Sequence, residues 1–293
     1  MMAFVSPELA THPIIVTSEN MPQGRGRLLL LVVAHADDPA FFAGGTIILW
    51  AKAGWRVVCL RVTDDRWDSV GLDEAETIRR NAIEFRQAAS ELGIAEVHDL
   101  GWQTDVLGDA SRVDLRERII HTIRRLKPYG LATFDPSSMF FEDNLDHKVL
   151  AEAVDEAFWT AKFDKHHPDH FAEGFAPHAC AERWYFGRTV VSVTHVFDVS
   201  SVLEQQLRAI LCHRTMLANM VHQMVLESQT LDYHSHLVQG ASDGDLRPLF
   251  ETLLVEAAAQ RGSPFGLVAA ETLRCHSVKH PISPRRISEI SGN

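Results

Sequence analysis

The chain has 293 residues, 46% of them hydrophobic, which is ample for a large core. Its net charge is −11, with no basic stripe interleaved with aromatics, so nucleic acid is set aside as a partner. Four scattered cysteines (Cys59, Cys180, Cys212, Cys275) form no CxxC pair, which argues against a disulfide framework or a cysteine zinc site and favours a reducing, cytoplasmic setting.

The first twenty residues, MMAFVSPELATHPIIVTSEN, lack a basic region followed by an apolar run, so no signal peptide is expected. No later stretch reaches the length needed to cross a bilayer, and no membrane partner is expected. A loose arm is expected to about Gly26. Leu28–Ala34 then reads as a strand buried on both faces. Thr46–Ala53 reads as helix, Arg56–Thr63 as a second strand, and Asp73–Leu92 as a long helix stopped by Gly93. Glu96–Leu100 is a short third strand, Val113–Leu126 a helix, Leu131–Phe134 a fourth strand and His147–Ala161 a further helix. Later strands are expected around Trp184–Phe186 and Thr189–Phe197, and mostly helix from Ser201 to about Leu273.

Strands alternating with helices predict an α/β fold: a Rossmann-like, mostly parallel sheet flanked by helices, with a helical C-terminal portion. The expected division is an N-terminal arm over 1–26, the core over 27–200, a helical portion of the same domain over 201–280, and a tail over 281–293.

In such a sheet, ligands collect beyond the carboxyl ends of the strands. The first strand ends there in His35, Ala36, Asp37, Asp38. Adjacent side chains of extended backbone point to opposite sides, so the two carboxylates should take different jobs. One can ligate a metal beside His35 while the other faces the metal's water as general base. The alternative is an acidic helix cap with His35 as polar filler. The following AGG is not a dinucleotide fingerprint.

The stretch A-H-A-D-D-P…G-G-T-I resembles the A-H-P-D-D-E…G-G-T-I of the PIG-L/LmbE-like family of zinc-dependent N-acetylglucosaminyl deacetylases, with Ala36 for the usual proline and Pro39 for the usual glutamate. The resemblance covers roughly Leu28–Ala161 and implies a zinc cofactor held by His35 and Asp38, with Asp37 as general base. The family's third ligand is the last His of an H-x-D-H-like motif, and the chain offers two matches, Asn144–His147 and His167–His170. His147 is preferred, because it opens a helix directly after the fourth strand. His170 lies beyond that helix, about 22 Å further on for some fifteen residues. Asp146 either orients a ligand imidazole or caps the helix.

Asn144 stands where many relatives have a His that polarises the carbonyl or protonates the amine. Asn donates hydrogen bonds but carries no proton near neutral pH. The resemblance offers His276, because some relatives, archaeal diacetylchitobiose deacetylases among them, place a C-terminal His from a neighbouring subunit in the site; a homo-oligomer is therefore expected. His213, in ILCHRTM, resembles the A-x-x-x-H-x-S/T-Q segment. TIRRNAIEFRQAASELG resembles the R-x-x-E-x-x-x-A-x-x-x-L-G helix with its arginine displaced to Arg80, and LGWQTDVL resembles the loop that carries Asp105 toward sugar hydroxyls. Trp67 and Trp102 are further candidates for holding a sugar. The implied activity is hydrolysis of the N-acetyl group of an N-acetylglucosamine-type small molecule. A zinc amidase acting on a non-sugar amide, or a metal-binding protein with a decayed site, are the rival expectations.

Overall fold

The computed structural model describes residues 12–277; the first part of the expected arm and the expected tail lie outside the described residues. The strands are β1 (Ile14–Val16), β2 (Leu28–Val33), β3 (Arg56–Thr63), β4 (Glu96–Trp102), β5 (Gly130–Phe134), β6 (Glu182–Phe186), β7 (His195–Asp198) and β8 (Ala270–Ser277). The helices are α1 (Asp38–Lys52), α2 (Glu74–Leu92), α3 (Arg112–Leu126), α4 (Leu145–Thr160), α5 (Asp169–Ala172), α6 (Leu203–Cys212), α7 (Arg214–Thr230), α8 (His236–Ser242) and α9 (Arg247–Gly262). None is long and apolar enough to cross a membrane.

Within the described residues the strands form one sheet in the order β1-β7-β8-β6-β5-β2-β3-β4. Every neighbouring pair is parallel except β8, which runs against both β6 and β7. The run LLLLVV is apolar throughout because β2 is covered on both faces. Its alternate residues Leu29, Leu31 and Val33 join the core beneath α1, α2 and α6, while Leu28, Leu30 and Val32 join the one beneath α3 and α4. The chain leaves β2 toward β3 and β4, then returns to pair β5 on the other side of β2. The sheet therefore has its topological switch point between β2 and β5, where a crevice opens at the strands' carboxyl ends.

The α/β architecture follows the sequence-based expectation, with four departures. The described part of the arm contributes β1, which pairs with β7. The segment expected to stay helical to about Leu273 instead turns into strand at Ala270. Ala270, Leu273 and Glu271 are buried there between two strands, so tertiary packing overrides the helical propensity of AAETL. Thr189–Thr194 is not strand; only His195–Asp198 is.

Helix α1 begins at Asp38 rather than Thr46 and is broken at Ala43 (φ −150°, ψ 22°). The break frees backbone N–H groups inside the helix. Glu271 of β8 meets them: its carboxylate accepts from Gly45 N at 2.9 Å and Thr46 N at 2.7 Å, and from Gln206 Nε2 at 3.0 Å. The two glycines serve this packing. A Cβ at Gly45 would stand 2.6 Å from Val199 Cγ1, and one at Gly44 2.9 Å from Gln206 Cγ.

Gly45→Ala should therefore destabilise the protein by about 1–3 kcal/mol, the usual cost of overpacking. Gly240→Ala, on α8 with open space around its Cβ, should gain about 0.5–1 kcal/mol. Urea unfolding midpoints of the two variants check this; a neutral Gly45→Ala would contradict the packing role of the pair.

Candidate metal and active site

His35 follows β2, Asp38 opens α1, and His147 sits in the first turn of α4 after β5. The switch point brings all three together, and all are buried. His35 Nδ1 lies 3.1 Å from His147 Nε2, His147 Nε2 lies 3.1 Å from Asp38 Oδ1, and His35 Nδ1 lies 3.7 Å from the same oxygen. A tetrahedral ion with ligand bonds of about 2.0–2.1 Å spaces its ligand atoms about 3.3–3.4 Å apart. The three edges bracket that value, so two imidazoles and a carboxylate are set as one face of a tetrahedron. The donor set suits zinc or a similar divalent ion and leaves a fourth position open.

The remaining atoms of these residues are held. Asp38 Oδ2 accepts from the backbone N–H groups of Ala34 (3.0 Å) and His35 (2.8 Å), which leaves Oδ1 to face the imidazoles. Asp146 Oδ2 lies 3.4 Å from His35 Nε2, on the far side of that ring. Its carboxylate also accepts from Asp105 N (2.7 Å) and Leu107 N (3.1 Å), tying the loop after β4 to the site. Glu142 Oε1 lies 3.3 Å from His147 Nδ1, close enough for ion pairing. Phe134 stacks on the His147 ring at 3.8 Å. This is the carboxylate–imidazole support that fixes tautomer and aim in metal sites. Asn144 caps α4, its side-chain oxygen accepting from Asp146 N at 2.8 Å.

Asp37 is buried beside this group and makes no side-chain cap bond to α1, so the helix-cap alternative does not describe it. Burial, reinforced by the Asp38 charge, pushes its carboxyl up to about 7. Asp38 goes the other way: burial opposes its charge, but His147 and then His35 hold it below the ordinary carboxylate range. Burial also disfavours charge on His35, yet the Asp146 and Asp38 carboxylates outweigh it and raise the imidazole well above its ordinary value. His147 is raised in the same way, against burial, by Asp38 and Glu142.

A cavity of about 510 Å³ opens over these groups. Asp105 and Asn144 line it, as the sequence suggested. Arg80 and His276 are not brought to it. Arg80 is paired with Glu76 at 2.6 Å on the surface of α2. His276 lies on β8 opposite Arg183, near the start of β6, so the antiparallel course of β8 carries it to the sheet edge opposite the crevice. His213 is buried where α6 meets α7, its Nε2 unpartnered, and burial pushes it down to about 4. His170 of the literal motif is bound instead to Glu117 (2.7 Å) and Arg124 (3.0 Å), against α3. Trp67 donates to Glu74, and Trp102 packs beside the core under α3 and α4.

Sequence reasoning missed Glu142, Asp65 and Asp68. Asp65, paired with Arg61 at 2.7 Å, reaches Ala36 N at 3.3 Å and so braces the His35–Asp37 turn. Asp68 lines the cavity, its carboxyl pushed to about 7 by burial and then by the Asp65 charge. Both belong to the run TDDRWD at the end of β3, on the same sheet edge as His35. Applying the strand-end rule to this strand as well would have found them.

Residues 30–158 match the PIG-L family model, described as GlcNAc-PI de-N-acetylase. A 1D-myo-inositol 2-acetamido-2-deoxy-alpha-D-glucopyranoside deacetylase of Mycobacteroides abscessus is 28% identical over 159 residues, 45% of this chain and 57% of its own. A probable N-acetyl-alpha-D-glucosaminyl L-malate deacetylase 2 of Bacillus anthracis is 26% identical over 210 residues, 69% of this chain and 86% of its own. The chain thus spans little more than half the length of the first of these relatives. Among solved structures, N,N'-diacetylchitobiose deacetylase from Pyrococcus horikoshii, complexed with its inhibitor MPG, superposes with a TM-score of 0.70 at 18% identity, covering 86% of this chain and 84% of that one. That likeness is one of fold.

His147→Ala should abolish tight binding of one divalent ion per chain, and His170→Ala should leave it intact. Glu142→Gln and Asp146→Asn, which keep the coordinating atoms but loosen their aim, should each weaken binding about 10–100-fold. Equilibrium dialysis with elemental analysis reads all four; loss of the ion in His170→Ala would move the site to the other motif.

Proposed function

We propose that this chain, which carries a PIG-L family domain over residues 30–158, is a metal-dependent hydrolase that removes the N-acetyl group of an N-acetylglucosamine-type sugar. The observation that carries the reading is the triangle of His35, Asp38 and His147 with the buried carboxyl of Asp37 beside it, all inside that domain. Zinc is the ion we assign, because two imidazoles and one carboxylate with an open fourth position suit it. The relatives' names, both of them deacetylases of acetamido sugars, support the substrate class. The four cysteines are all free, which fits a reducing, cytoplasmic compartment.

A bound divalent ion would polarise the amide oxygen and make a water nucleophilic near neutral pH. Asp37 does the proton work. Its carboxylate takes the proton from the water as the C–O bond to the acetyl carbon forms, and returns it to the nitrogen as the C–N bond breaks. The return is required, because an unprotonated amide anion is far too basic to leave. With Asn144 in place of a histidine, base and acid fall to Asp37, the raised carboxyl that lies directly beside the three ligand side chains. Asn144 and Asp105, on the cavity wall, serve the sugar: one amide and one carboxylate suit hydroxyl groups.

Asp37→Asn should retain one ion per chain and lose turnover by a factor on the order of 10² or more. The pH profile gives the sign. The base must be ionised, so kcat/KM falls as pH drops through the Asp37 value. That value is about 7 without an ion; a cation offsets the Asp38 charge, so the acid limb of the loaded enzyme should lie below 7. Acetate release from N-acetylglucosamine, its disaccharide and simple acyl amides measures both. A loaded Asp37→Asn protein with near-normal turnover would remove this role, and turnover of acyl amides alone would replace the sugar.

A further inference from the structure

The cavity has two unlike walls, and they come from different parts of the chain. Loops after β3, β4 and β5 supply Asp68, Asp105 and Asn144, all inside residues 30–158. The facing wall is predominantly apolar and comes mostly from α6, α7 and α9, which lie wholly outside that range: Ile210, Met216, Met220, Phe250, Leu254 and Ala257. It begins next to the reacting centre, where Phe41 of α1 meets Phe250 of α9 edge-on at 6.2 Å. Its members range from buried (Ile210, Met216, Phe250) through half-buried (Met220, Leu254, Ala257) to Leu253, 40% exposed, so the wall reaches solvent. α7 and α9 also contribute Asn219, Gln223 and Arg261 to the lining.

A hydrophobic stripe running from a buried centre out to solvent does nothing for an acetyl group, which is consumed at the inner end. Nor does it suit a bare sugar, whose hydroxyls need the opposite wall. It suits the part of a substrate that trails outward from the ring. We infer that the substrate is an amphiphile, an acetamido sugar whose aglycone is alkyl or aryl and lies along α7 and α9. The inference rests on the deacetylase reading above and deepens it. It also sets this chain apart from the two relatives described, whose names carry inositol and malate, both polar.

The test uses the full chain loaded with metal and blocked by Asp37→Asn, and calorimetric binding of three probes below their micelle concentrations. These are the methyl, octyl and inositol glycosides of N-acetylglucosamine. The octyl glycoside should bind at least tenfold more tightly than the methyl, since each methylene buried is worth about fourfold. Leu254→Asn should shrink that ratio, and Leu253→Asn, at an already exposed position, should shrink it without risk to the core. Equal affinities, or tightest binding of the inositol glycoside, would overturn the inference. So would N-octanoylglucosamine outbinding the octyl glycoside, which would hand the wall to the acyl group. Acetate release by the unblocked enzyme separates the two levels. Release from the methyl glycoside with no octyl preference removes the apolar aglycone and leaves the deacetylase standing. No release from any glycoside removes the deacetylase and, with it, the assignment of this wall to a substrate.

Discussion

The site depends on one carboxylate. Asp38 spends one oxygen on the backbone N–H groups of Ala34 and His35, at the end of the strand it follows. That bond turns the chain from β2 into α1 within four residues and points the other oxygen at two imidazoles. The turn is possible because α1 starts early and then breaks at Ala43, and the break persists because Glu271, from the far end of the chain, receives the freed N–H groups. A buried carboxylate on an antiparallel strand thus fixes the helix that opens with Asp38.

The electrostatics of the crevice are one-sided. Arg61 answers Asp65 and Arg188 answers Glu142. Asp37, Asp38 and Asp146 then remain around two imidazoles, all of them buried. Buried like charges are costly unless they are neutralised or hold a cation. Burial and then the Asp38 charge drive Asp37 up toward neutrality, and the surrounding carboxylates raise both imidazoles against burial. The same arrangement is what a divalent ion relieves, since it replaces shared protons with a fixed double charge. The acid–base properties assigned to Asp37 and the case for a metal are therefore one physical statement.

The central half of this fold was legible because it follows strong local rules. A continuous apolar run means a strand covered on both faces, and alternation with amphipathic helices such as α2 and α3 means a parallel sheet. The cluster His35, Asp37, Asp38 was legible for the same reason, since strand ends of such a sheet converge. That Asp38 is the ligand and that a third His follows came from the family resemblance, and geometry then favoured His147, which follows a strand, over His170, which follows a helix. What was not legible depends on distant partners. Strand β8 looks helical by composition and becomes a strand only because β6 and β7 offer it two edges. The Gly44-Gly45 pair stands just ahead of the expected helix, and nothing local shows that it makes a close approach to Val199 and Gln206. Asn144 reads as a damaged catalytic position, and its oxygen caps α4. Arg80 and His276 came from family resemblance alone; Arg80 is paired on the surface of α2, and His276, expected from a neighbouring subunit, lies away from the crevice of its own chain.

The central claim is that three side chains from two neighbouring strand ends bind one ion through nitrogen and oxygen alone, with a position left open. X-ray absorption at the metal edge of the zinc-loaded protein tests it most directly. Four or five nitrogen or oxygen neighbours at about 2.0–2.1 Å, with the outer-shell signature of two imidazoles, are expected. A sulfur neighbour at about 2.3 Å, or the signature of a single imidazole, would contradict it.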